Sequence, residues 1–187
     1  MAKTKIETSD IIFSRCHSEN ELKEILQLQQ DNLLTKVSDE EKKKEGFVTV
    51  EHTYDILKEM NEVCPHIIAK HDNKVVGYAL CMHPTFADKI AVLQPMFLEI
   101  EKQLSKDESF IAMGQICVSK AHRKKGIFRK LYSEMKHYCQ KDYRWIITEV
   151  DALNTRSTQA HTAIGFEEMC TYPSGNQDWK LIKLSTS

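Results

Sequence analysis

The period of the apolar positions changes repeatedly along the chain, and each change marks an element. "IIFSRC" (11–16) is a short apolar-rich run that reads as a strand. Ser18-x-x-Glu21 has the capping-box pattern, and Leu22, Ile25, Leu26 and Gln29 follow at helical spacing, which predicts a first helix. A second helix is expected over 52–62, with Ile56, Leu57 and Met60 turned inward. "HIIAKHDNKVVGYALCM" reads as two β-rich segments that turn back at Asp72-Asn73. Pro95 suits the first turn of a further helix carrying Phe97, Ile100 and Leu104.

The second half alternates more regularly. "FIAMGQICV" (110–118) predicts a strand, and 126–140 a helix with Ile127, Leu131, Met135 and Tyr138 on one stripe. "WIITEV" (145–150) predicts another strand, and 154–164 a short helix ended by Gly165. "FEEMCTY" and "DWKLIKL" then close the chain as two strands around a "PSGN" turn. The run "SDEEKKKEG" (38–46) is charged throughout and reads as a solvated loop or helix end. No repeat, low-complexity tract or linker interrupts this order, so one mixed α/β domain over residues 1–187 is expected.

Composition narrows the picture. A chain of 187 residues, 41% hydrophobic and 28% charged, can bury a sizeable core. The net charge of −1 leaves any basic patch local and disfavours a nucleic-acid surface. The six cysteines form no C-x-x-C pair, which fits reduced thiols and a cytoplasmic location. No apolar run approaches transmembrane length and "MAKTKIETSD" does not read as a signal peptide, so no membrane partner is expected.

The candidate chemistry starts at "AHRKKGIFRKL" (121–131), where one glycine sits among Arg123, Lys124, Lys125, Arg129 and Lys130 just before a helix. The first N–H groups of a helix lack internal acceptors and the dipole favours an anion there. Gly126 would let a phosphate approach the backbone, with Arg123, Lys124 and Lys125 as flexible positive charge around it. The loop is neither GxxxxGK[ST] nor GxGxxG. Taken alone, it reads equally well as a solvated basic turn.

Two blocks carry a more specific resemblance. "VSKAHRKKGIFRKLY" resembles the acetyl-CoA-binding motif V-x-x-x-x-[QR]-x-x-G-x-[GA] of the GCN5-related N-acetyltransferase family. Val118, Arg123 and Gly126 match it, and Phe128 stands where Gly or Ala is usual. "EVDALNTRSTQAHTAIGF" resembles the family's second block through Asn154, Gly165 and Phe166, with His161 in place of the usual Tyr.

The resemblance implies a mixed α/β (α+β) fold: a central, mostly antiparallel twisted sheet of six or seven strands, flanked by helices and splayed at the acetyl-CoA site. It implies acetyl-CoA as co-substrate and direct transfer to a primary amine of a small molecule or peptide, with no metal. Backbone groups of Ile116, Cys117 and Val118 would hold the pantetheine arm. Residues Arg123, Lys124, Lys125, Gly126, Ile127, Phe128 and Arg129, together with Asn154, would complete the coenzyme site. The acceptor pocket would be built by the first two helices, the loop around 34–55 and the final strands.

For catalysis, His161 would protonate the leaving thiolate as imidazolium, and Glu149 would serve as base or amine anchor. A carboxylate on the otherwise apolar strand "WIITEV" is costly unless it is exposed or used. A non-catalytic acyl-CoA-binding module, supported by Phe128 and His161, is the alternative. Mid-strand Cys117 reads as an inert core thiol. Cys64-x-His66 and Cys81-x-His83 have spacing that could form a zinc site if the hairpin joined them. A homodimer, paired through the C-terminal strands, is a further expectation.

Overall fold

A computed structural model of the chain describes residues 10–33, 48 and 50–187, so the charged run 38–46 lies outside the described residues. The elements are β1 (Ile12–Arg15), α1 (Glu19–Gln30), α2 (Tyr54–Val63), β2 (Ile67–His71), β3 (Lys74–Met82), α3 (Gln94–Gln103), β4 (Phe110–Val118), α4 (Ile127–Cys139), β5 (Trp145–Asp151), α5 (Thr155–Thr162), β6 (Glu167–Ser174) and β7 (Gln177–Ser185). The strands form one seven-stranded sheet in the order β1-β2-β3-β4-β5-β7-β6. The β1–β2, β2–β3, β5–β7 and β6–β7 pairs are antiparallel, whereas β4 and β5 run parallel. The mixed fold and mostly antiparallel sheet are those expected.

The β4–β5 ladder is short. It joins Phe110 to Trp145, Ile111 to Ile146 and Ala112 to Ile147, and no later pair forms among the described residues. The next carbonyl, of Met113, accepts from the Thr148 hydroxyl at 2.9 Å, so a side chain takes the place of a ladder bond. This is the splay expected from the resemblance.

The chain divides into two compact units, the first formed by the described residues of Met1–Cys81 with Gln115–Met135. There Ser18 and Glu21 make the capping box in full: the Glu21 amide donates to Ser18 Oγ at 3.2 Å, and the Ser18 amide donates to Glu21 Oε2 at 3.1 Å. Asp72 and Asn73 both adopt positive φ, 49° and 61°, which gives the tight β2–β3 hairpin its twist. Val75–Met82 of β3 are buried on both faces, as befits an inner strand. Ile25, Leu57, Met60, Ile67, Ile68 and Leu131 fill the core of this unit. Gly77 is the point of closest approach: a Cβ there would lie 3.3 Å from both the Cys117 carbonyl and the Ile127 side chain.

The second unit is Met82–Gly114 with Lys136–Ser187. Met96, Phe97, Ile100, Ile111, Ile147 and Leu181 are among its buried apolar residues. Two short 3-10 turns, Pro84–Lys89 and Ala91–Leu93, precede α3, and the sequence periodicity does not forecast them. On α4, Tyr138 is 38% exposed and Cys139 is 3% exposed, so the cysteine takes the inward place expected of the tyrosine. The stripe drifts because 3.6 residues per turn carries Met135 onto Cys139, four residues on.

Candidate functional site

The basic loop leaves β4 at Val118 and enters α4 at Ile127, by way of a 3-10 turn at Lys120–His122. Lys124 (φ 61°) and Gly126 (φ 76°) are left-handed, whereas Arg123 (φ −66°) is not, and Lys125 is absent from the positive-φ residues. Arg123 itself is extended (ψ 160°), so the left-handed residues on either side of Lys125 make a sharp turn between strand and helix. A Cβ built on Gly126 meets nothing within 4 Å, so its conformation, not crowding by the protein, calls for glycine.

Arg123 differs from the flexible cation expected. Its Nε donates to the Val118 carbonyl at 3.0 Å, and its Nη2 to Asn32 Oδ1 at 2.7 Å. The guanidinium braces the loop against the end of its own strand and against the residues after α1. Lys124 and Arg129 are exposed, Lys125 is half-buried and Ile127 anchors the loop in the core. Phe128 lays its ring edge-on to Tyr132 at 5.2 Å, a contact one turn along the helix.

Along β4, Ile116 and Val118 are half-buried while Gln115 and Cys117 face inward. Burial pushes the Cys117 thiol up to about 12, so it stays protonated and is no nucleophile near neutral pH. His66 spends both ring nitrogens on backbone: Nε2 on the Leu57 carbonyl at 3.1 Å and Nδ1 on the Cys81 amide at 3.2 Å. A Cys₂His₂ site needing a free His66 nitrogen is thereby excluded. His83 instead caps its own turn by accepting from the Thr85 amide at 3.2 Å.

In the second unit, Glu149 stands on β5 opposite Leu181 of β7. The Tyr172 hydroxyl of β6 donates to Glu149 Oε2 across β7. Burial raises the Glu149 carboxyl to about 7, and the Tyr172 bond lowers it only in part. Burial likewise pushes the Tyr172 phenol far above its ordinary value, so it remains a donor. A carboxyl that titrates near neutrality is suited to accept and release protons. Tyr172 lies 23 residues from Glu149 and no local pattern pairs them; only the strand register reveals the contact.

Asn154 caps α5, its Oδ1 accepting from the Ser157 amide at 3.0 Å. His161 is buried on the same helix, edge-on to Phe166 at 5.0 Å, with Nδ1 donating to the Ser157 carbonyl at 2.8 Å. Burial lowers its pKa, only partly offset by the Ser157 bond. The side chain expected to act as imidazolium is therefore held toward the neutral form.

Comparison with known proteins now bears on these features. Searching the curated proteins by sequence gives no match. Among solved structures, the NatC complex bound to a Gag peptide and CoA is similar with a TM-score of 0.66 and 14% identity, covering 94% of this chain and 98% of that one. The ribosomal-protein-S18-alanine N-acetyltransferase of Escherichia coli is similar at 0.63 and 14% identity, covering 95% and 94%. A spermidine N-acetyltransferase chimera from Vibrio cholerae and hSSAT is similar at 0.59 and 13% identity, covering 95% and 96%. At such identities these likenesses speak for the fold. Residues 22–166 match the profile of the Acetyltransferase (GNAT) family, a span holding both the basic loop and the Glu149–His161 segment. The chain belongs to the GNAT family of acetyltransferases.

Proposed function

We propose that the protein is an acetyl-CoA-dependent N-acetyltransferase that moves an acetyl group directly to a primary amine of a small molecule or peptide. The observation that carries this reading is Glu149, a carboxyl on an apolar strand that titrates at about 7 while held by Tyr172. A neutral amine is the reactive species, and a base of that pKa can accept its proton at physiological pH. Family membership and the left-handed turn at Lys124–Gly126, ahead of a helix start, support the coenzyme.

In this reading, the N–H groups of 124–129 receive the pyrophosphate, with Lys124 and Lys125 adding charge. Backbone groups of Ile116–Val118 hold the pantetheine arm, and one N–H there polarises the carbonyl oxygen. Acetyl-CoA would supply the acetyl group as a thioester; as the C–N bond forms, the C–S pair leaves with sulfur and the coenzyme departs as a thiolate that takes its proton from solvent. Glu149 takes the amine proton, and the Tyr172 hydroxyl steadies the carboxylate before that transfer. Cys117, protonated and buried, plays no covalent part. His161 is the weaker half of the expected pair, because an imidazole held neutral has no second proton to give.

The test is coenzyme A release, followed by free thiol, across a panel of polyamines, amino-sugar amines and N-terminal peptides. Turnover with some amines and loss of at least 10²-fold in Glu149→Gln is expected for a lost general base. Tight acetyl-CoA binding with no turnover on any amine would instead mark a binding module. A homodimer is part of the proposal, with β6 as the outer strand of the sheet. A monomer mass in light scattering well above micromolar concentration would remove that part alone.

A further inference from the structure

In the unit that carries the basic loop, two histidines from different elements meet. His71 ends β2, and His122 closes the 3-10 turn at Lys120–His122, 51 residues on. The Ser119 amide donates to the Val76 carbonyl at 2.8 Å, which ties this turn to the start of β3, where Lys74 pairs with His71. His71 Nδ1 and His122 Nε2 face each other at 3.3 Å, with the rings edge-on at 61°. His122 is 9% exposed and the His71 side chain 20%. At the other nitrogen of the His122 ring, Ser119 Oγ lies 2.7 Å from Nδ1. The Asp72 carboxylate, 89% exposed on the hairpin turn, lies 3.7 Å from His71 Nδ1.

We propose that His71 Nδ1, His122 Nε2 and the Asp72 carboxylate form a binding site for a divalent ion of the zinc class. Two nitrogens each about 2.0–2.1 Å from a tetrahedral zinc stand roughly 3.3–3.4 Å apart, which is the spacing of the two rings here. The hydrogen bond between the rings keeps one proton on that line. The ion takes the place of the proton, which moves to Nε2 of His71. His122 needs no such change: with Nδ1–H donating to Ser119 Oγ, its Nε2 already carries a lone pair. An outer partner on the second ring nitrogen is the usual way in which a ligating imidazole is oriented. Asp72 reaches the ion by rotation of its exposed side chain, and water fills the fourth position. Two imidazoles and one carboxylate select zinc, copper or nickel over magnesium and calcium, which take oxygen ligands. The Lys125 charge acts on His122 and opposes a cation, and the Asp72 charge offsets it. Binding clamps the hairpin turn to the loop that enters α4. The site takes no part in acetyl transfer and does not depend on that reading.

Calorimetric titration of zinc chloride into the untagged, chelator-stripped full chain tests this. Wild type should bind one zinc ion per chain, and its melting temperature should rise with zinc concentration. Ser119→Ala, which removes only the outer partner, should weaken binding roughly 10- to 100-fold. His71→Gln and His122→Gln should each weaken it further, while His17→Gln, at an exposed histidine outside the pair, should bind as wild type does. Cobalt(II) in place of zinc separates the imidazoles from the buried cysteines. The assigned ligands give tetrahedral d–d bands without thiolate-to-cobalt charge transfer, and a charge-transfer band overturns the inference. It is overturned as well if wild type shows no saturable binding, or binds ions with an affinity indifferent to His71→Gln. Should His122→Gln not unfold cooperatively, Asp72→Asn carries the same test, since Asn tolerates the left-handed φ of 49° at that turn. Wild-type zinc affinity in Asp72→Asn overturns the site. Acetyl-CoA enters no arm of the experiment, so its failure leaves the proposed function standing.

Discussion

Glu149 was legible in the sequence because a lone carboxylate in "WIITEV" breaks an apolar strand. Its regulator was not, since Tyr172 reaches it across an intervening strand. The pair makes a signed prediction. The Tyr172 bond lowers the Glu149 pKa, so Tyr172→Phe should raise it above about 7. The rising acid limb of kcat/KM for the amine should therefore move to higher pH in Tyr172→Phe and vanish in Glu149→Gln. An unmoved limb would mean that another group reports it. His161 was legible as a departure from a motif, but its helix-bound geometry was not. With Nδ1 on the Ser157 carbonyl and a lowered pKa, His161→Phe should change the single-turnover rate little at pH 7.5. A loss of 10²–10⁴-fold, typical of a missing general acid, would restore the acid role.

At the scale of elements, caps and turns were the most legible features, because local chemistry alone forms them. The Ser18–Glu21 box and the Asp72-Asn73 turn needed no distant partner. The 3-10 turns ahead of α3 were not legible, since packing shaped them and no short-range period marks them. The loop 118–127 was legible in outline, but the bracing role of Arg123 was not. Gly126 and Gly175 offer a controlled comparison: both have positive φ, 76° and 63°, and neither has an atom within 4 Å of a built Cβ. Replacing either with Ala should cost about 1 kcal/mol of stability through left-handed strain. Gly126→Ala alone should weaken acetyl-CoA binding in calorimetry, and Gly126→Asp should abolish it. Equal affinity across the three variants would remove the phosphate from this turn.

For the whole molecule, titration links the buried groups to stability. Burial lowers both His52 and His66 from 6.5 to about 4, so on unfolding each gains a proton between those values. Stability is thus present above pH 6.5 and lost as pH falls toward 4, on the order of 3 kcal/mol for each histidine. Glu149 runs the other way. Its folded pKa of about 7 exceeds the ordinary 4.5, so its ionisation costs stability as pH rises through that window. Two histidines outweigh one carboxyl, and wild type should weaken toward acid in denaturant midpoints. Glu149→Gln should match wild type near pH 5 and exceed it increasingly toward pH 8; a difference constant with pH would contradict the raised pKa. The sequence marked Glu149 as an oddity on its apolar strand, but which of His52, His66 and Glu149 are dry, and so which way each titrates, is decided by the fold. No helix among the described residues is long and apolar enough to cross a membrane.

The tethered head of Arg123 also bears on which residues can replace it. Two of its bonds run to neutral oxygens, the Val118 carbonyl and the Asn32 amide, and neither of these requires a charge. What these two bonds use is a flat group with several N–H donors splayed in one plane. The family motif admits Gln or Arg here, an odd pair if charge were the criterion. Both are planar multi-donor groups, and the compact ammonium of Lys is not. Arg123→Gln, though uncharged, should therefore keep acetyl-CoA affinity closer to wild type than Arg123→Lys does. The ionic-strength dependence of binding should be nearly the same in Arg123→Gln as in wild type, because the salt-sensitive attraction would come from the lysines beside it.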